Sequence, residues 1–391
     1  MPAGHVSISP DGPAPRTRYD IVILGGGLLG AATAALLRRW APAASVLLAE
    51  AGGIPDEGGA TVASPGLLPP FEATAGEAGA LSWARDWLVS AVTDAAGSEP
   101  AGSGAGWLEL LTEPAHERAA SPLTEVVGTA LADAVHALTG LPREHPARLR
   151  PGGYLSAEAA ALALARRAVH GGTDLALNAR VRPLGGARLM LERLALDRRM
   201  RLGVHGRQPV AADVVVVACG ADGAAVAEAA LDLPVRLPAV YRQFPRVRWA
   251  APAVAGTAIR MPVVALGEWA VRPAPGGALL VPPPGPADPD GYRPTGGRLL
   301  GVPVGVRREV IERLLDEPAL QPLVASGRLD LGKSVRAVRG ARFSAPPDGR
   351  AVVRDLGGGW WLLAGGELGL AHDVAAAARL AAAVAGVPVP W

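Results

Sequence analysis

The sequence of 391 residues is poor in residue types that many functions require. Its one cysteine, Cys219, excludes an internal disulfide and a cysteine-built metal site. Its one lysine, Lys333, means that an imine-forming or pyridoxal mechanism would rest on that residue alone. Aromatic residues make up only 4% of the chain, too few for the stacking surfaces that bind single-stranded nucleic acid.

Charge and hydropathy exclude further classes of protein. The net charge is only +2, so no basic surface for nucleic acid is expected. No apolar run reaches the length of a membrane span. Residues 1–18 are rich in proline, glycine and serine and lack the apolar core of a secretion signal. We therefore predict a cytoplasmic globular protein with a small-molecule partner, whose oligomeric state the sequence leaves open. The seven histidines show no metal-binding spacing, and we predict no metal.

A glycine-rich turn follows the first apolar strand, residues 21–24. Gly25 permits a tight turn, Gly27 lets a pyrophosphate approach the backbone, and Gly30 lets the next helix lie close to the strand. We predict that helix over residues 28–40, with its positive N-terminal end directed at the phosphates. The predicted dinucleotide-binding turn comprises Gly25, Gly26, Gly27, Leu28, Leu29 and Gly30.

An acid ends the next predicted strand, residues 45–50. Glu50 lies twenty residues after Gly30, where a carboxylate accepts hydrogen bonds from ribose hydroxyls. The same charge repels a 2′-phosphate and so disfavours NADP. Strand, turn, helix, strand and acid together predict a bound dinucleotide, which the motif alone does not identify as FAD or NAD.

Two later stretches also favour close approach of a ligand. Small residues at 58–66 suit either a ligand-binding loop or an exposed loop. A four-valine strand ends in a turn that holds Cys219 and Gly220, at the edge where parallel sheets bind ligands. We interpret Cys219 as a small buried side chain rather than a nucleophile, because no activating partner is visible.

The remaining chain changes character twice. Short apolar segments alternate with proline and glycine over residues 233–305, which indicates an antiparallel sheet. The end of the chain returns to α/β character, with a buried strand at 360–364, a second glycine turn at 365–370 and an alanine-rich helix. We predict an α/β fold, in which a Rossmann-like domain carries an inserted antiparallel-sheet substrate domain.

Five stretches together resemble the FAD-dependent oxidoreductases of the D-amino-acid oxidase superfamily, with the layout of the glycine oxidase and monomeric sarcosine oxidase group. They are the first glycine turn with Glu50, Ala63-Ser64-Pro65-Gly66, Gly153-Tyr154-Leu155, the strand and turn 214–221, and the tail 347–369. The resemblance implies an FAD-binding domain of residues 18–88, 151–232 and 333–391. It implies a substrate domain of residues 89–150 and 233–332.

The resemblance also implies roles for individual residues. The first turn would hold the FAD pyrophosphate and Glu50 the ribose, while Val181 would lie beside the adenine. Ala63, Ser64 and the C-terminal turn would approach the flavin. That turn comprises Gly365, Gly366, Glu367, Leu368, Gly369 and Leu370. The family's flavin-linking cysteine is missing, so the FAD is expected to be noncovalent. The implied reaction is hydride transfer to flavin N5 from the C–N unit of an amino acid or secondary amine.

The substrate side departs from the family pattern. An arginine before the Asp-Gly pair usually binds a carboxylate in the family. Arg336, Arg339 and Arg342 precede that pair here, and of these Arg339 and Arg342 are the preferred candidates. Glu367 stands where relatives carry other side chains, and a free acid there would favour a cationic substrate group. Tyr241 lies on a predicted strand of the substrate domain. Because side chains alternate along a strand, the Tyr241 side chain has even odds of facing the ligand or the other side. The alternatives left open are oxidation of a 2-hydroxy acid or other alcohol, and a flavin-binding subunit or tailoring protein of a larger pathway.

Overall fold

Two large sheets organise the chain. The computed structural model describes residues 4–8, 16–70, 75–100, 102–111, 121–199, 201–248, 261–267, 269–274, 277–283, 312, 315–321 and 337–391. Lys333 lies outside these described residues. Helices occur at Leu28–Trp40 (α1), Ala60–Ala63 (α2), Ala75–Ala96 (α3), Leu123–Val127 (α4), Thr129–Thr139 (α5), Ala157–His170 (α6), Gly223–Leu231 (α7) and Leu370–Ala385 (α8).

The first sheet has nine strands and a parallel centre. Its strands are Val6–Ser7 (β1), Arg18–Leu24 (β2), Val46–Ala49 (β3), Asp174–Ala176 (β9), Ala179–Pro183 (β10), Arg188–Leu196 (β11), Leu202–Val217 (β12), Val352–Gly357 (β18) and Trp360–Ala364 (β19). Strands β9, β3, β2, β12 and β19 run parallel in that order. The last strand of the chain thus completes the sheet that the first glycine turn leaves, and the predicted Rossmann-like α/β fold is confirmed.

The second sheet has eight strands. They are Trp107–Leu110 (β5), Ser121–Pro122 (β6), Pro146–Arg150 (β7), Ala239–Arg248 (β13), Val263–Leu266 (β14), Trp269–Ala274 (β15), Gly277–Val281 (β16) and Ala337–Ser344 (β17). Their order is β17-β13-β16-β15-β14-β5-β7-β6. All pairs are antiparallel except β5 with β14. A small third sheet pairs Leu67–Leu68 (β4) with Gly153–Tyr154 (β8).

The core lies between the first sheet and its helices. Helix α1 buries Leu36, Leu37 and a run of alanines against α6 and α8, and the small side chains allow the three helices to pack closely. The predicted bounds of α1 match those observed. Among the described residues, no helix is long and apolar enough to cross a membrane.

Two elements differ from what the sequence pattern predicts. The apolar spacing over residues 123–138 predicts one helix, but Gly128, with a left-handed φ of 75°, breaks it into two helices. The apolar residues at 175–182 predict one strand, but a bend at Asn178, with φ of 50°, divides it into two. Asparagine tolerates this conformation better than most residues, so it can take the place of a glycine here.

Candidate active site

A cavity of about 1750 Å³ lies at the carboxyl ends of the parallel strands and extends beneath the second sheet. It is larger than the roughly 300–1,000 Å³ of most small-molecule pockets. Its lining runs from Val181 on β10, past the first glycine turn, to the C-terminal turn and the second sheet. A single continuous space therefore has room for an extended dinucleotide and a second small molecule.

In the first glycine turn, two glycines lie so close to neighbouring backbone atoms that no side chain would fit at either position. Gly25 has φ of 102°, and a Cβ added there would lie 2.4 Å from the carbonyl oxygen of Ala218. A Cβ on Gly30 would lie 1.9 Å from the carbonyl oxygen of Gly25. These two glycines hold helix α1 against the end of β2, so that the N-terminus of the helix opens onto the cavity.

Glu50 closes the same region from the end of β3. Its carboxylate accepts hydrogen bonds from the backbone N–H of Gly26 at 2.6 Å and of Gly52 at 2.9 Å. Burial raises the pKa of Glu50, while these two backbone donors lower it. The acid thus fastens the turn and also lines the cavity, as does Val181. That Glu50 binds the ribose and that Val181 lies beside the adenine stay predictions.

The other predicted cofactor residues divide into lining and supporting positions. Ser64 lines the cavity, whereas Ala63 is buried behind it in helix α2. Cys219 and Gly220 both border the cavity. The Cys219 thiol donates to the carbonyl oxygen of Leu24 at 3.4 Å, and burial raises its pKa to about 12. A thiol that stays protonated supports the interpretation of Cys219 as a structural residue.

The C-terminal glycine turn is fixed by hydrogen bonds to its backbone. The Ser344 hydroxyl donates to the carbonyl oxygen of Gly365 at 2.7 Å. The N–H of Gly366 donates to Asp373 Oδ1 at 2.8 Å, and the N–H of Glu367 donates to the carbonyl oxygen of Gly349 at 2.7 Å. All six residues of the turn line the cavity. The turn is therefore held firmly opposite the second sheet.

The charge of Glu367 is compensated within the protein. Arg242 Nε on β13 donates to Glu367 Oε1 at 2.8 Å, and Arg242 Nη2 donates to the same oxygen. The two side chains are only 15% and 11% exposed, so the pair is largely shielded from water. The sequence-based expectation of a free acid that attracts a cationic substrate group therefore loses its basis.

The predicted carboxylate-binding arginines lie on β17. Arg342 lines the cavity, and its guanidinium donates to Asp222 at 2.7 Å. Arg339 occupies the register position opposite Phe244, but its side chain lies outside the described part of the structure. Tyr241, opposite Arg342 in the register, is buried away from the cavity lining, and its hydroxyl packs against Gly340. Strand alternation places Arg242 and Phe244 on the other face of β13 from Tyr241, and both line the cavity. Arg342 lines the cavity from β17, the edge strand of the sheet.

The structure adds residues that the sequence analysis missed. Asp373, one turn into α8, borders the cavity behind the C-terminal turn, and burial raises its pKa to about 7. Thr61 accepts a hydrogen bond from the N–H of Leu28 at 3.0 Å, at the start of α1. An acid in the first turn of an alanine-rich helix is the sequence signal that would have pointed to Asp373. Among the described residues, no group of His, Cys, Asp and Glu is arranged to hold a metal ion.

Asp373 predicts a pH-dependent stability. Its raised pKa means that folding favours the protonated acid, so this stabilisation is complete below the unfolded pKa of 3.8 and is lost as the pH rises through about 7. Because the carboxyl also borders the cavity, we expect a change on the order of 2 kcal/mol. Asp373→Asn keeps an acceptor for Gly366, and its unfolding free energy should fall less than that of the wild type from about pH 5 to about pH 8. The unfolding free energy of both proteins is measured by urea denaturation across this pH range. An equal change of the unfolding free energy with pH in the two proteins would contradict this assignment.

The size of the cavity and the open backbone of its glycine turns fit a bound FAD. Comparison of the sequence with family models agrees with this fit. The FAD-dependent oxidoreductase (DAO) family model matches residues 20–384, and the chain belongs to this family of oxidoreductase enzymes. The resemblance drawn from the sequence is thus confirmed. A comparison with curated protein sequences finds no match.

Solved structures share the fold over nearly the whole chain. Glycine oxidase from Geobacillus kaustophilus is similar with a TM-score of 0.64 and 20% identity, covering 96% of this chain and 97% of that one. Iminodiacetate oxidase from Chelativorans sp. BNC1 is similar with a TM-score of 0.65 and 21% identity, covering 95% of this chain and 96% of that one. L-amino acid deaminase from Proteus vulgaris is similar with a TM-score of 0.67 and 14% identity, covering 99% of this chain and 98% of that one. At these identities the likeness shows the fold.

Proposed function

We propose that the protein oxidises the C–N bond of an amino acid or secondary amine. The observation that carries the proposal is the continuous cavity, which joins the dinucleotide-binding turn to arginine side chains of the second sheet. Similar folds named as glycine oxidase, iminodiacetate oxidase and L-amino acid deaminase support the same substrate class. Bound FAD would supply the hydride acceptor.

The first glycine turn, α1 and Glu50 would hold FAD without a covalent link. The backbone at Gly27 leaves room for the pyrophosphate, and the N-terminus of α1 favours its negative charge. Glu50 would accept hydrogen bonds from the ribose. Among the described residues, the one cysteine is Cys219, and its protonated, hydrogen-bonded thiol is unsuited to forming a bond to the cofactor.

The second sheet would position the substrate. Arg342 is oriented by Asp222 and lines the cavity, so its remaining N–H groups suit a substrate carboxylate. Arg339 is the second candidate for this role because of its register position opposite Phe244. The rings of Phe244 and Phe343 pack edge to face, with their centroids 5.7 Å apart. These two rings would exclude water from the reacting carbon. With the amine bound as the free base, no further acid or base is required.

A cytoplasmic location of the protein stays a prediction from the sequence.

Anaerobic mixing of the FAD-loaded protein with candidate substrates tests this proposal. Glycine, sarcosine, proline and iminodiacetate form one set, and glycolate and lactate form the other. We expect an amine to bleach the flavin absorbance. Bleaching by hydroxy acids alone would favour alcohol oxidation, and bleaching by neither set would overturn the proposal. A stable complex with another protein on purification would favour a flavin-binding subunit.

Replacement of Arg342 tests the carboxylate site. Arg342→Met should raise KM for a carboxylate-bearing amine by about 10- to 100-fold, since a charge-assisted hydrogen bond contributes roughly 1.5–3 kcal/mol. Arg354→Met is the matched control, because Arg354 is exposed on β18 and does not line the cavity. Equal KM values in the two variants would instead assign the role to another residue, and Arg339→Met would then be measured in the same assay.

A further inference from the structure

A second charged cluster lies on strands β5 and β7, which stand near the opposite end of the strand order of the second sheet from β13 and β17. Arg148 donates through Nε at 3.0 Å and Nη2 at 2.6 Å to one oxygen of Glu109. Arg150 donates at 3.1 Å to the other oxygen. All three side chains line the cavity. The cluster therefore brings two positive charges and one negative charge to the cavity wall.

The register connects this cluster to the flavin side of the cavity. Arg148 stands opposite Glu109, Glu109 opposite Ala265, Ala265 opposite Ala270, and Ala270 opposite Val281. Residues opposite one another in a sheet share a face. Val281 and Ala270 then belong to the same buried cluster as Phe244. One face of the sheet thus carries charged groups at one end, small apolar side chains in the middle, and Phe244 beside the C-terminal turn.

The two ends of this face are far apart. Strands β5 and β13 are separated by four strand spacings in the sheet order. At about 4.8 Å per spacing the separation along the sheet is about 19 Å. A simple amino acid bound beside the C-terminal turn does not reach the cluster. The apolar middle, with Ala265 and Ala270, leaves room for a hydrocarbon body between the ends.

We infer that Arg148, Arg150 and Glu109 form a distal anion subsite. It would hold a carboxylate or phosphate group at the far end of an extended substrate whose amine end lies beside the C-terminal turn. Glu109 keeps the two guanidinium groups apart and oriented, and it competes with the incoming anion for their N–H donors. This inference rests on the proposed function for the amine end and extends it to the substrate class.

Calorimetric titration of the FAD-loaded protein with chain-length pairs tests the subsite. The dicarboxylates adipate, sebacate and hexadecanedioate are each compared with the monocarboxylate of equal length. We expect the long dicarboxylate to bind about 10- to 100-fold more tightly than its monocarboxylate, as expected for hydrogen bonds to a charged group. Adipate should show no such gain. A second long-chain probe with a terminal phosphate in place of the distal carboxylate decides which anion is preferred.

Two variants with opposite expected effects sharpen the test. Arg148→Gln should abolish the gain of the long dicarboxylate and leave the affinity of the monocarboxylate unchanged. Glu109→Gln should enlarge the gain, because the competing carboxylate is removed. Arg143→Gln is the matched control, since Arg143 is likewise a partly exposed arginine that forms an ion pair, here with Asp133, and it lies outside the cavity lining.

Equal affinities of dicarboxylate and monocarboxylate at every length would overturn the subsite. An undiminished gain in Arg148→Gln would do the same. Should Arg148→Gln fail to fold, the wild-type series and Glu109→Gln still decide the question. These titrations do not depend on turnover. A failure of every amine to reduce the flavin would thus reject the proposed reaction while leaving the subsite result to be judged separately.

Discussion

Gly30→Ala should purify with little or no flavin. Alanine is the better helix former by about 1 kcal/mol, so helix propensity alone predicts a more stable protein. The added Cβ, however, would lie 1.9 Å from the carbonyl oxygen of Gly25, and both atoms belong to a buried part of the chain. Neither can move without displacing α1 from the end of β2. We expect FAD binding to weaken at least ~100-fold, which corresponds to about 2.8 kcal/mol.

Gly203→Ala is the control for this experiment. Gly203 lies on β12 and also borders the cavity, but no atom lies within 4 Å of a Cβ added there. The ratio of flavin absorbance to protein absorbance measures occupancy, and circular dichroism reports the fold. Full occupancy in Gly30→Ala would show that the first turn does not hold the dinucleotide in the way that its geometry indicates.

Arg242→Met should destabilise the protein by about 3–5 kcal/mol, because it leaves the carboxylate of Glu367 largely buried without its partner. The replacement keeps a long apolar side chain, so that most of the packing is retained. The unfolding free energy from urea denaturation measures the loss. We also expect slower flavin reduction, since the C-terminal turn carries Glu367 and its backbone borders the cavity.

The double variant Arg242→Met with Glu367→Met separates charge from packing. Replacing both members of a buried ion pair by apolar side chains is often nearly neutral in stability. We therefore expect the double variant to recover most of the stability lost in the single one. A double variant as unstable as Arg242→Met would show that Arg242 contributes through other contacts than Glu367.

The geometry of the first glycine turn was predictable because it is local. Gly25, Gly27, Gly30 and Glu50 lie within about one strand-helix-strand unit, and each has a stated geometric role. The turn at residues 365–370 lines the cavity, and its place was indicated by the buried strand and the alanine-rich helix that flank it. Short-range patterns of glycine and apolar residues thus predicted both elements from the sequence.

The substrate side was not predictable to the same degree. Arg242 and Glu367 are separated by 125 residues, and only the position of β13 against the C-terminal turn brings them together. From the sequence, Tyr241 was as apt to face the ligand as to face away from it, since alternation along a strand does not say which face is inward. The register with β17 and the packing of the sheet make that choice.

The sequence by itself determined the family, the first glycine turn and the α/β class, because these depend on residues close together in the chain. Its single cysteine also excluded an internal disulfide and a cysteine-built metal site, and its single lysine limited imine-forming chemistry to Lys333. The tertiary structure alone decided which charged groups of the site are paired and which are buried. It neutralised Glu367 with Arg242, buried Asp373 behind the C-terminal turn, and joined Glu109 with Arg148 on a distant part of the cavity wall. The physical reason is that ion pairing and burial depend on which distant strands are neighbours, and local patterns carry no record of that.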